Sequence, residues 1–181
     1  MSKVVFIIAT PNPISRLKGI TDYFHQQLVS RGIETATIQV TSLPAEDLIL
    51  ARWDSPAIAE ANALVESADA VVIASPVYKA SYSGILKTYL DLLPQKGLVN
   101  KIVAPLFIGG TIAHLLSIDY SLKPVLSAIG ARNFISPIYA TDNQVTRSQD
   151  DSVSFSLADE LVERLDRSIE ELVSDLQLRS R

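Results

Sequence analysis

Short runs of aliphatic and β-branched residues alternate along this chain with longer stretches whose apolar residues recur at helical spacing. The runs are Val4–Ala9, Thr35–Val40, Ala70–Ala74, Ile102–Ile108 and Phe134–Tyr139. A strand that is apolar on both faces has to be covered on both, which is the situation of a parallel sheet between helices. Helical spacing is seen in Ile20, Phe24, Leu28 and Val29; in Ile58, Ala61, Leu64, Val65 and Ala68; in Leu86, Leu90 and Leu93; and in Leu157, Leu161, Leu165, Ile169 and Leu172. The stretch from Ile112 to Ile129 is apolar over most of its surface. It predicts a helix buried at a subunit interface. Arg31-Gly32, Asp54-Ser55-Pro56 and Gly130 supply stop and start signals at the expected places.

This strict alternation predicts an α/β fold, a doubly wound five-stranded parallel sheet with right-handed crossovers. The flavodoxin-like order 2-1-3-4-5 is the favoured topology, in a single domain over residues 1–181. The chain is 48% hydrophobic and 20% charged, which suits a packed core and excludes disorder. Its net charge of −4 argues against a nucleic-acid partner. The absence of cysteine excludes disulfides, thiolate metal sites and a cysteine nucleophile. The first apolar run is too short to span a bilayer and lacks a cleavage pattern, so the expected location is cytoplasmic, with no membrane partner.

In open α/β sheets ligands bind beyond the carboxyl ends of the strands. The candidate segments are therefore Thr10–Leu17, Ser75–Gly84 and Gly109–His114, each opening a helix whose free N–H groups favour an anion. No Walker A lysine loop, no GxGxxG after the first strand and no metal-ligand spacing is present, which sets aside P-loop, Rossmann and metal readings. The segment Ser75-Pro76-Val77-Tyr78-Lys79-Ala80-Ser81-Tyr82-Ser83-Gly84 is the most informative. It reads as a turn stiffened by Pro76, with Tyr78 offering a flat face to an aromatic ring and Ser81 and Ser83 as helix caps.

Pro76, Tyr78, Ser81, Gly84, Leu86 and Lys87 fall in a Pro-x-Tyr-x-x-Ser-x-x-Gly-x-Leu-Lys pattern. The stretch resembles the signature of the NADPH-dependent FMN reductase family. The segments 51–57, 91–94 and 109–126 extend the likeness toward the sulfonate-utilisation branch, over about residues 3 to 145. The resemblance implies FMN across the three loops, with Pro76, Val77, Tyr78 and Lys79 lining the isoalloxazine, Ser81 close by, and Gly109, Gly110 and Thr111 at its other edge. It places the FMN phosphate on the first loop, where Thr10, Ser15 and Arg16 match. Leu17, Lys18 and Gly19 stand where relatives carry hydroxyls, and the loop is one residue shorter. Arg16 or Lys18 is the expected phosphate partner.

The implied activity is an NADPH-dependent FMN reductase that supplies reduced flavin to a partner monooxygenase. An FMN-bound quinone or azo reductase, an electron-carrier flavodoxin, and a binding or assembly module without flavin are the alternatives. NADPH and NADH are not distinguished, and no catalytic residue is assigned, because the cofactor carries the chemistry. The resemblance also implies a homo-oligomer, a tetramer or dimer, through the helix around Tyr120. A π-bulge is expected there, beside Pro124. His25 is expected at the surface, His114 near the site as a structural residue, and Trp53 as a packing anchor. Asp150-Asp151 is expected as a solvated loop and Arg179–Arg181 as a frayed tail.

Overall fold

The computed structural model describes residues 2–148 and 153–179. Elements run in the order β1 (Lys3–Ile8), α1 (Arg16–Ser30), β2 (Glu34–Gln39), α2 (Ala45–Ile49), α3 (Pro56–Glu66), β3 (Ala70–Tyr78) and β4 (Ser81–Tyr82). Then follow α4 (Gly84–Leu90), β5 (Ile102–Gly109), α5 (Lys123–Ala128), β6 (Asn133–Phe134), β7 (Ile138–Thr141), β8 (Val145–Arg147), β9 (Phe155–Leu157) and α6 (Asp159–Arg179).

The sheet runs β2-β1-β3-β5, with β6 and then β7 paired in parallel to the outer side of β5. This is the expected order with the fifth position split in two. Proline causes the split. Pro105 of β5 and Pro137 have no N–H to donate, and the ladder is interrupted between Val103↔Phe134 and Leu106↔Ile138. Side chains of α6 take over the freed groups: Glu171 accepts the Ser136 N–H at 2.9 Å, and Ser168 donates to the Ser136 carbonyl at 2.9 Å.

Successive residues of the central strands point to opposite layers. Val4 and Phe6 face α1 and α6, where Leu17, Ile20, Phe24, Leu161, Leu165 and Ile169 are all fully buried. Val5 and Ile7 face α3, α4 and α5, through Ile58, Val65, Leu86, Tyr89 and Leu126. Burial of each such side chain contributes about 1.5–3 kcal/mol, so the layering is dictated by this two-sided apolar pattern. At the amino end of the sheet, Lys101 donates to the carbonyls of Glu66 and Ala68 at 2.9 and 2.7 Å, closing the end of α3. Burial lowers the pKa of this lysine.

Several expectations need correction. β3 does not end at Ala74 but continues to Tyr78 and turns back into β4, so Pro76 lies in a strand and not in a turn. Its missing N–H is harmless there, because Ala74 already meets the residue after β1 and nothing of β1 runs beyond it. The stretch Ile112 to Ile129 is no continuous helix. It divides into a 3₁₀ turn (Ile112–His114), a π-helical turn (Ile118–Leu122) and α5. Pro124, lacking an N–H, fixes the change, and Tyr120 sits inside the expected π segment.

Trp53 is 78% exposed and is no packing anchor among the described residues. The intervening α2 buries Leu48 instead. His25 is half-buried, its Nε2 2.8 Å from Thr35 Oγ1 and its ring edge-on to Phe6. Arg179 belongs to α6 and donates to the Asn100 carbonyl. Asp150, Asp151 and Arg181 lie outside the described residues.

Tyr23 of α1 donates to Asp166 of α6 at 2.7 Å. Burial, and after it this hydrogen bond, push its hydroxyl up to about 12 from an ordinary 10.0. Folding raises this pKa, so the stabilisation is complete below the unfolded value and is lost as pH climbs toward the folded one. Urea unfolding from about pH 9 to pH 12 will show a steeper alkaline loss of stability in the wild type than in Tyr23→Phe.

Candidate functional site at the strand ends

The carboxyl ends of β1, β3 and β5 carry the three segments singled out in the sequence. In the first, Thr10 is buried, its hydroxyl 3.3 Å from Ser15 Oγ and donating to the Asn12 carbonyl at 3.2 Å. Asn12 Oδ1 accepts the Ile14 N–H at 3.0 Å, and the Asn12 carbonyl accepts the Ser15 N–H at 3.1 Å. The loop is thereby held by its own short side chains. Ser15 takes the N-cap position of α1 without capping it through its side chain. The Lys18 N–H donates to the Ser15 carbonyl at 3.0 Å, and the N–H groups of Arg16 and Leu17 are left for an outside acceptor.

Of the two candidate cations here, Lys18 is engaged by Asp22 one turn on, at 2.6 Å. Arg16 donates its Nε to the Val145 carbonyl at 2.9 Å, and no ion pair among the described residues involves it. Its terminal amino groups remain. The β8–β9 hairpin accounts for Gly19 as well: a Cβ there would stand 2.7 Å from Phe155 Cβ and 3.3 Å from Val145 Cγ1. The space beside Gly19, where the resemblance leads one to expect a hydroxyl, is filled by this hairpin.

The second segment is itself a hairpin. Tyr78 pairs with Ser81, so Lys79 and Ala80 form a two-residue turn, with φ of 51° and 62°. Two L-residues in the left-handed region are strained, and such strain collects at functional sites. Tyr78 is 49% exposed, and Val77 is half-buried beside it. Ser81 lies in β4 and Ser83 takes the N-cap position of α4, but neither caps by side chain.

Ser83 instead joins the first two segments, an assignment the sequence pattern missed. Its buried hydroxyl donates to the Ala9 carbonyl at 2.6 Å, and its N–H donates to Ser75 Oγ at 2.8 Å. The Ala9 N–H donates to Ala74 O at 2.9 Å.

The third segment meets the second directly. Pro76 pairs with Ile108, and a Cβ on Gly109 would stand 3.3 Å from Val77 Cβ. Gly110 and Thr111 are exposed, with room at Gly110 that nothing closer than Asp142 limits. Thr111 Oγ1 accepts the Ala113 N–H at 3.2 Å and caps the 3₁₀ turn. Ala80, His114, Ser117 and Tyr120 line a cavity of 310 Å³ beside the second hairpin. The Ser117 hydroxyl is buried there without a partner among the described residues.

The structure thus brings Pro76 through Ser81 against Gly109 through Thr111, with Thr10, Ser15 and Arg16 tied to them through Ala9. The start of α1, the exposed ring of Tyr78 and the glycine pair Gly109-Gly110 meet at one end of the sheet. Among the described residues no group of acidic, histidine or cysteine side chains could hold a metal.

A parallel sheet with loops arranged in this way defines a flavodoxin-like α/β protein. Comparison narrows the class, and the chain belongs to the NADPH-dependent FMN reductase family, whose model matches residues 2–146. It is 46% identical over 167 residues to the FMN reductase (NADPH) of Pseudomonas putida, covering 92% of this chain and 84% of that one. It is 43% identical over 143 residues to the FMN reductase (NADPH) of Escherichia coli, covering 79% and 75%. The solved apo structure of NADH:FMN oxidoreductase EmoB superposes with a TM-score of 0.82 at 29% identity, over 95% of this chain and 88% of that one.

Replacing Ala80, at φ 62°, by glycine relieves a left-handed residue. Ala80→Gly will raise stability in urea unfolding by about 0.5–1 kcal/mol, after the extra unfolded-state entropy is subtracted.

Proposed function

We propose that this protein is an NAD(P)H-dependent FMN reductase that uses NADPH and releases reduced FMN to a flavin-dependent monooxygenase in the cytoplasm. The observation that carries the reading is the joining of three strand-end segments at one end of the sheet, in a chain whose relatives of 46% and 43% identity are named FMN reductase (NADPH). FMN, when bound, supplies the ring that accepts the hydride. Every other requirement falls to the chain.

Tyr78 offers its exposed face to the ring, with Pro76, Val77, Lys79 and Ser81 around it. Gly109, Gly110 and Thr111 present backbone to the opposite edge. Thr10, Ser15 and the start of α1 take the phosphate, and Arg16, oriented by Val145, adds a charged donor where Leu17, Lys18 and Gly19 offer no hydroxyl. Weak holding of the phosphate end suits a flavin that is a substrate and has to leave.

NADPH oxidation by purified protein, with and without added FMN, tests the reading. Turnover is expected only when FMN is added. A yellow protein that turns over without it favours the FMN-bound quinone or azo reductase. Absence of both turnover and saturable FMN binding refutes both enzyme readings. A charge-assisted hydrogen bond contributes about 1.5–3 kcal/mol, so Arg16→Gln will raise KM for FMN roughly ten- to a hundredfold and leave KM for riboflavin unchanged.

The same reading includes a homo-oligomer through the π-helical segment. Ile112, Leu115, Leu116 and Tyr120 form an exposed apolar surface there, Tyr120 at 79% exposure. A partner seated on it would border Ala80 and the flavin loop. Sedimentation of Tyr120→Glu will show a smaller species than the wild type, while an unchanged sedimentation coefficient removes Tyr120 from the contact.

A further inference from the structure

Tyr139 lies on β7, opposite Phe107 of β5, and its side chain is wholly buried. A buried tyrosine hydroxyl requires a partner. This one donates to the Thr111 carbonyl at 2.8 Å, and so reaches across the end of its own strand to the exposed loop after β5. Gly109 lies directly under the bridge. A Cβ on Gly109 would overlap the Tyr139 hydroxyl, and would stand 3.3 Å from both Tyr139 Cζ and Val77 Cβ. The missing side chain at this position therefore makes room for Tyr139 as much as for any ligand.

Tyr139 is itself fixed from behind. Arg164 of α6 donates to the Tyr139 carbonyl at 2.9 Å and to Gln144 Oε1 at 3.1 Å. Gln144 Oε1 also accepts the Thr141 N–H at 3.0 Å, and Thr141 pairs with Gly109. Arg164 Nε stays buried without a partner among the described residues, a cost the fold tolerates at this junction. Burial, with the nearby charge of Asp142, raises the Tyr139 pKa and keeps the hydroxyl a donor.

We infer that Tyr139 is a positioning residue for flavin binding, because its hydroxyl pins the Thr111 carbonyl and holds Gly109, Gly110 and Thr111 in the shape that meets the ring. The inference rests on the placement of FMN under Proposed function. Thr111 is held at both ends, by this bond on its carbonyl and by the Ala113 N–H on its hydroxyl. Without the Tyr139 bond this exposed loop would keep only the Ala113 N–H on the Thr111 hydroxyl. A loop held before the ligand arrives does not have to be ordered on binding, and affinity gains by that difference.

Tyr139→Phe keeps the ring and removes the bond. The expected result is a roughly fivefold rise in both Kd and KM for FMN, with kcat at saturating FMN within about twofold of the wild type. The measurement is made well below the melting temperature of either protein. A lowered melting temperature with Kd and KM unchanged marks a purely structural tyrosine and overturns the inference.

Gly109→Ala gives the complementary test. It is expected to weaken FMN binding strongly in the wild-type background and less in Tyr139→Phe, where the overlapping hydroxyl is gone. Equal losses in the two backgrounds overturn the inference. FMN titration of the wild type is the control. No saturable binding there refutes the functional reading and this inference together, whereas equal binding by wild type and Tyr139→Phe refutes this inference alone.

Discussion

The peptide group of Ala9 is the point on which the strand-end region depends. It lies just past β1, buried, with its N–H on Ala74 of β3 and its carbonyl on the Ser83 hydroxyl. Ser83 in turn gives its N–H to Ser75. An unpaired polar group at this depth costs about 1–3 kcal/mol, so the loop after β1 and the hairpin after β3 are held in one arrangement by mutual need. The hairpin can carry two left-handed L-residues at its tip because its base is held in this way.

Much of this was legible in the sequence. Continuous apolar runs reported two-sided burial, and with it the parallel sheet and its order. The Pro-x-Tyr-x-x-Ser pattern located the second loop; Pro124 signalled a distortion, and the family resemblance made it a π-bulge at Tyr120. What escaped was set by partners distant in sequence. Nothing near Tyr139 announces that its hydroxyl reaches Thr111, and nothing near Gly19 announces Phe155. Ser83 looked like a helix cap because serine before a helix usually is one; only the buried Ala9 carbonyl shows why its hydroxyl turns elsewhere. Pro76 looked like a turn residue because proline usually breaks strands, and it was tolerated because β1 had already ended beside it. Trp53 shows the opposite failure: large apolar residues tend to be buried, and this one is not.

The first loop shows how one chain meets a need by different means. Three positions where the family resemblance leads one to expect hydroxyls hold Leu17, Lys18 and Gly19. Leu17 is drawn into the core, Lys18 pairs with Asp22, and Gly19 yields its space to Phe155. The hairpin that took this space also presents the Val145 carbonyl that orients Arg16. The bare backbone at Gly19 and the placement of the Arg16 cation are two results of the same packing.

The divided fifth strand bears on how the molecule is made. Its gap at residues 135–137 is closed by Ser168 and Glu171, more than thirty positions downstream and beyond the segment shared with the family model. During synthesis the sheet edge emerges well before those side chains do. Until α6 arrives, the Ser136 peptide groups have only water as a partner, and the apolar side chains that α6 covers stay open to misassociation. The segment by which this chain is classified is thus smaller than the segment that must be finished before the fold can close.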